Sequence, residues 1–144
     1  MNNENAWIES FEAAGRRHLK RPLKASDGYS EETVRRAEQR LGLSLPKALR
    51  DYYAYLGRNQ TLSRMHNVLL PPHKLTSEDG YIVFMLEAQF VVSWAIRSDQ
   101  ADDDDPVVWQ IVNCVPREVY SEELRFSDFI VRMLDWQAGV GAAH

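Results

Sequence analysis

A chain of 144 residues, 44% hydrophobic and 26% charged, has the size and composition of one globular domain and is too apolar to stay disordered. The formal net charge of −4 argues against a general phosphate-binding surface, which needs clustered Lys and Arg. The single cysteine, Cys114, excludes an internal disulfide and fits a reducing compartment.

The N-terminus has no basic stretch leading into an apolar run, so a secretory leader is not expected. Trp7, Ile8, Phe11 and Ala14 fall at helical spacing and predict an amphipathic helix over residues 4–19. Pro22 closes it and 24–28 reads as a loop. The basic residues Arg16, Arg17, His18, Lys20, Arg21 and Lys24 near its end read as a solvated face rather than a nucleic-acid surface.

Ser30 is a good N-cap for a second helix, with Glu31 and Glu32 at the positive end of its dipole and Tyr29 placed to staple onto Val34. Val34, Ala37 and Leu41 form its buried stripe. Glu31 with Arg35, and Glu32 with Arg36, pair along the exposed side. Gly42 stands where a left-handed residue ends such a helix.

Pro46 fits the first turn of a third helix, in which Leu45, Leu49, Tyr52 and Leu56 repeat at spacings of four, three and four before Gly57. The short link between these two helices forces a hairpin or a sharp corner.

Strands follow. Residues 67–70, 81–86, 90–96 and 107–112 are rich in β-branched and aromatic side chains, and 115–120 reads as a shorter strand. Glu87-Ala88-Gln89 suits a reversal between antiparallel neighbours. The 81–86 and 90–96 runs are also too short to span a bilayer, so a cytoplasmic protein is expected. Ser127 caps a last helix carrying Phe129, Ile130, Met133 and Leu134, which Gly139 ends, leaving 139–144 as a frayed tail. Helices, then strands, then a helix predict an α+β domain: one antiparallel sheet with helices packed mainly on one face. Residues 1–28 belong to the same unit as the core, 29–138.

Four segments in this order resemble the SUKH superfamily. The first is Glu38, Leu41-Gly42 and Leu45-Pro46, followed by Tyr52, Tyr53 and Leu56-Gly57. The second is the strand and turn from Phe84 to Gln89, with Ala88 where Asn is common, followed by Trp94 and Ile96. The third is Asp105-Pro106-Val107-Val108-Trp109, with one proline where two are usual. The fourth is Phe126-Ser127-Asp128-Phe129-Ile130. The resemblance covers about Tyr29 to Trp136. It implies an α+β fold without enzymatic activity or cofactor, and a cytoplasmic immunity protein that binds and neutralises a polymorphic toxin, many of which are nucleases. The alternative it implies is a regulatory module that binds cellular proteins.

The residues themselves offer no catalytic set. His18, His66, His73 and His144 form no metal-ligand spacing with one another or with Cys114. Cys114 reads as a small core residue near a strand end. No motif that activates a serine or cradles phosphate is present, so no catalytic, cofactor or metal residue is expected.

Asp102, Asp103, Asp104 and Asp105 read as a solvated run. If functional, they form an electrostatic docking patch for a Lys/Arg-rich partner. Tyr55 is expected toward solvent as an interface anchor, with a core tyrosine whose hydroxyl reaches water as the equal alternative. Tyr52 belongs to the buried stripe, and at least one of Trp94 and Trp109 is expected in the core. Glu38 reads as structural, bonding a neighbouring loop or helix end. A monomer is the default expectation.

Overall fold

The stripe of Trp7, Phe11 and Ala14 is buried along α1 (Glu4–Leu19), the first element of the computed structural model, which describes residues 4–142. The chain leaves this helix at Lys20, in the left-handed region at φ 59°. Ser30 caps α2 (Glu31–Leu41), its hydroxyl accepting the Thr33 N–H at 3.2 Å. At the other end Gly42 sits at φ 74° and returns its N–H to the Glu38 carbonyl at 2.8 Å. The exposed ion pairs Arg35–Glu31 and Arg36–Glu32 form at 3.2 and 3.3 Å. α3 (Lys47–Tyr55) begins one residue after Pro46, and Leu45, Leu49, Tyr52 and Leu56 are all fully buried. The single turn α4 (Gln60–Ser63) follows, capped by Asn59.

Six strands form one antiparallel sheet: β1 (Val68–Leu69), β2 (Thr76–Glu78), β3 (Tyr81–Leu86), β4 (Val92–Arg97), β5 (Val107–Val112) and β6 (Glu118–Arg125). The order is β1-β3-β4-β5-β6, and β2 shares the outer edge of β3 with β1. Ile82 faces Ile96, Val92 faces Val112, and Val112 faces Glu118. α5 (Phe126–Ala142) closes the chain.

Three boundaries differ from the sequence reading. β4 starts at Val92 rather than Phe90, because the reversal runs through Phe90, at φ 62°. β6 begins after Pro116 and runs to Arg125; its polar residues are tolerated because it is the sheet edge, half in water. α5 continues through Gly139 to Ala142, since a glycine in a helix costs about 1 kcal/mol relative to alanine without breaking it. Strand β2 has no signature in the sequence, because all three of its residues are exposed and give no alternation. The last two residues of the expected tail, Ala143 and His144, lie outside the described residues.

The helices pack on one face. Phe84 meets Phe126 and Phe129 edge-on at 5.3 and 5.9 Å, and Tyr52 bridges Phe11 and Phe126 at 5.2 and 6.1 Å. These rings join α1, α3 and α5 to the middle of the sheet. Each fully buried aromatic contributes about 1.5–3 kcal/mol. The helices leave the other face of the sheet open, and no helix among the described residues is long and apolar enough to cross a membrane.

Candidate interaction surface

The aspartate loop is first of all a joint. The Asp105 carboxylate accepts the Ser127 N–H at 2.9 Å on one oxygen and the Ser127 hydroxyl at 2.6 Å on the other. Asp103 accepts the Asp105 N–H at 2.9 Å and lies 3.5 Å from Arg125, which also donates to the Asp105 carbonyl. The Asp104 carbonyl takes the Ala48 N–H at the start of α3, and the Pro106 carbonyl takes the Phe126 N–H at the start of α5. One loop thereby satisfies donors at two helix N-termini, which otherwise have no partner.

This corrects two expectations. α5 starts at Phe126, and its capping carboxylate is that of Asp105, from 22 residues away, rather than the Ser127 hydroxyl. Asp105 itself is half-buried, not part of a free acidic surface. Burial pushes its carboxyl above the usual range, while the two Ser127 bonds pull it back. Asp102, Asp103 and Asp104 remain exposed.

Tyr55 does not stand out in solvent. It is half-buried against the core, while Tyr52 and Tyr53 both point inward. The helix is enclosed on two sides: Tyr52 packs on Phe11, and Tyr53 packs on Tyr29 and donates its hydroxyl to the Leu70 carbonyl at 2.6 Å. Burial raises the pKa of both inner tyrosines.

The remaining motif residues are joints or core. Glu38 accepts the Leu45 N–H at 2.7 Å, fastening α2 to the entry of α3. Leu41 is half-buried on the core, and Leu45, Pro46, Pro106 and Phe129 are buried. Of the two strand tryptophans Trp94 is in the core, and it donates its indole N–H to Glu122 at 2.8 Å. Trp109 lies half-buried on the open face, edge-on to Tyr81 at 6.5 Å. Cys114, expected in the core, is exposed, because it lies in the β5–β6 turn beyond the last paired residue of β5.

The basic end of α1 is largely paired: Arg17 and His18 meet Asp135 at 2.9 and 2.7 Å, and Arg21 meets Asp27 at 2.8 Å. Among the described residues no group of three His, Cys, Asp or Glu is placed to hold a metal ion. The open face of the sheet carries a cleft of about 470 Å³ floored by Val83, Ser93 and Ile111. Its guanidinium groups are engaged by the protein itself. Arg40 donates to the carbonyls of Pro72 and Leu75, and Arg117 pairs with Asp79 at 3.2 Å.

The exposed apolar side chains are not scattered. Phe90, Val91, Val115, Tyr120 and Trp136 are the large hydrophobics at least half exposed among the described residues, and all five lie toward one end of the sheet. Phe90 and Val91 are in the β3–β4 turn, Val115 is in the β5–β6 turn, and Tyr120 lies two residues into β6. Trp136 lies on the part of α5 that is tied to the same end. Gln137 beside it accepts the N–H groups of His66 and Asn67 at 3.0 and 2.6 Å, and the Asn67 side chain accepts the Ala88 N–H at 3.1 Å. The aspartate loop sits at the opposite end.

The β3–β4 turn is tightly held. Phe90 donates to the Glu87 carbonyl at 2.9 Å, and Val91 donates to the Glu87 carboxylate at 3.2 Å. Asn113 reaches over from the neighbouring turn, its N–H to the Val91 carbonyl at 2.8 Å and its side-chain amide to the Phe90 carbonyl at 3.2 Å. This keeps a bulky aromatic residue at φ 62°, a conformation costing about 1–2 kcal/mol outside glycine. Strain of this kind persists where the surroundings over-determine it, often at functional positions.

Phe90 and Val115, expected in strands, lie in turns, Asn67 lies just before β1 rather than in it, and the anchoring roles of Asn67, Asn113 and Gln137 have no local signature in the sequence. The available signal was Trp136 beside Gln137, where the apolar row of α5 gives way to a polar inward residue. No protein-family model, no curated protein and no solved structure matches the chain.

Proposed function

We propose that this chain is a non-catalytic protein-binding domain, an immunity protein of the SUKH type that neutralises a polymorphic toxin by direct binding in the bacterial cytoplasm. The observation that carries the reading is the collection of exposed large apolar side chains at one end of the sheet. Large apolar side chains left exposed in one region of a domain, rather than singly, mark an interaction site. Aromatic side chains on a rigid frame are the usual anchors of protein interfaces. The SUKH resemblance is supported by the way its segments meet. Glu38 fastens α2 to the entry of α3 within the first segment, and Asp105 of the third segment bonds Ser127 of the fourth, 22 residues on, fastening the sheet to α5.

The test is co-expression of the chain with the toxin domain encoded beside its gene, scoring growth and co-purification. Rescue of growth together with a stable complex is expected. Continued toxicity with no complex would refute the toxin reading and transfer the surface to a cellular partner.

A further inference from the structure

We infer that the β3–β4 turn is a pre-formed anchor, and that Phe90 enters an apolar pocket of the partner whose rim carries Lys or Arg. This rests on the protein-binding function proposed above and names the part of the surface that does the binding. Three observations lead to it. Phe90 is 63% exposed and holds a left-handed backbone that glycine or asparagine would adopt with less strain, yet the turn carries an aromatic ring there. The backbone that carries the ring is fixed before any partner arrives, by the bonds from Glu87 and Asn113 that hold the turn. A rigid anchor loses little freedom on binding.

The third observation is charge. Glu87 and Glu118 flank the apolar residues, and neither forms an ion pair with a cation among the described residues; Glu87 accepts the Val91 N–H and Glu118 the Tyr120 hydroxyl. Of the cations toward this end, Arg117 is paired with Asp79 at 3.2 Å. At the two turns that carry Phe90, Val91 and Val115 the carboxylates of Glu87 and Glu118 are therefore left without a cationic partner among the described residues, and their complement is a basic rim.

The experiment titrates the purified toxin domain encoded beside the gene against the full chain and three variants. Phe90→Gly removes the ring and suits the backbone, so its melting temperature should stay at or above that of the wild type. Its affinity should fall at least about 30-fold, the loss of a central anchor. Glu118→Lys should slow association and reduce its dependence on salt. The double replacement Asp102→Lys with Asp104→Lys, at the opposite end of the sheet, should leave affinity unchanged. Wild-type binding that survives Phe90→Gly but is lost in the aspartate double variant overturns the anchor and leaves the immunity function standing. Absence of any wild-type complex refutes the immunity function, and the anchor with it.

Discussion

Replacing Asp105 with alanine tests the joint that holds the last helix to the rest of the domain. The substitution removes two hydrogen bonds to an anionic acceptor, at 2.9 and 2.6 Å, and one of them is an N-terminal helix cap. A lost cap costs about 1 kcal/mol, and bonds to a charged group contribute about 1.5–3 kcal/mol. Asp105 is only half-buried, so water can partly replace the lost acceptor, and the lower end of these figures applies: about 2 kcal/mol.

For a chain of this length that lowers the melting temperature by about 4–8 °C. Asp105→Asn keeps one acceptor and carries no charge to bury, and should cost less than about 1 kcal/mol. The pH dependence has a definite sign. Because burial raises the native pKa of Asp105, its titration favours folding at low pH and that contribution is lost as pH rises through the raised value. Thermal and urea unfolding followed by circular dichroism reads all of this. An alanine variant within 0.5 kcal/mol of wild type, or an equal loss from Asp102→Ala, would refute the joint.

Three further outcomes are expected. Arg21 holds the Asp27 carboxyl well below the usual carboxylate range, helped by the Lys24 N–H and Asn59 and opposed by burial. Its stabilisation is full above the unfolded value near pH 4 and is lost as pH falls toward the native one. Asp27→Asn should therefore flatten the acid limb of stability against pH, and Asp27→Ala should cost about 3 kcal/mol. Gly28→Ala would set a Cβ 1.6 Å from the Ala54 carbonyl oxygen, so the variant should lose about 3 kcal/mol or fail to fold, as read by urea titration. Glu38→Ala should cost about 1–2 kcal/mol by leaving the Leu45 N–H without its acceptor, and Glu38→Gln should recover most of it because its amide oxygen still accepts.

What was legible in the sequence was local chemistry. Ser30 and Gly42 act within one turn of the helix they bound, and the α3 stripe repeats within eleven residues, so a short window contains cause and effect. Glu38 was readable as a structural residue because its acceptor role lies across one tight turn. Asp105 was not, since its partner is 22 residues away and neighbouring aspartates disguise it as one charge in a run. Tyr53 was missed because periodicity finds one buried face, whereas α3 is enclosed on two. Gly28 looked like loop punctuation; its need for a bare Cα comes from Ala54, on another element. The apolar end of the sheet was hidden for a related reason. Phe90-Val91-Val92 has the composition of a strand, and bonds from Glu87 and Asn113, backbone and side chain together, hold its first two residues in the turn.

The long edge strand β6 has a bearing on assembly. Its outer side is unpaired, which in a sheet protein invites a second chain to add a strand. Here Glu123 sits at φ 58°, the register with β5 shifts between Val107 and Trp109, and Glu118, Glu122 and Glu123 follow one another along the strand. A kinked, like-charged border is a poor template for edge-to-edge growth. Copies of this domain accumulating in a cell are thereby kept from extending into a common ribbon, even though each carries aromatic rings in contact with water.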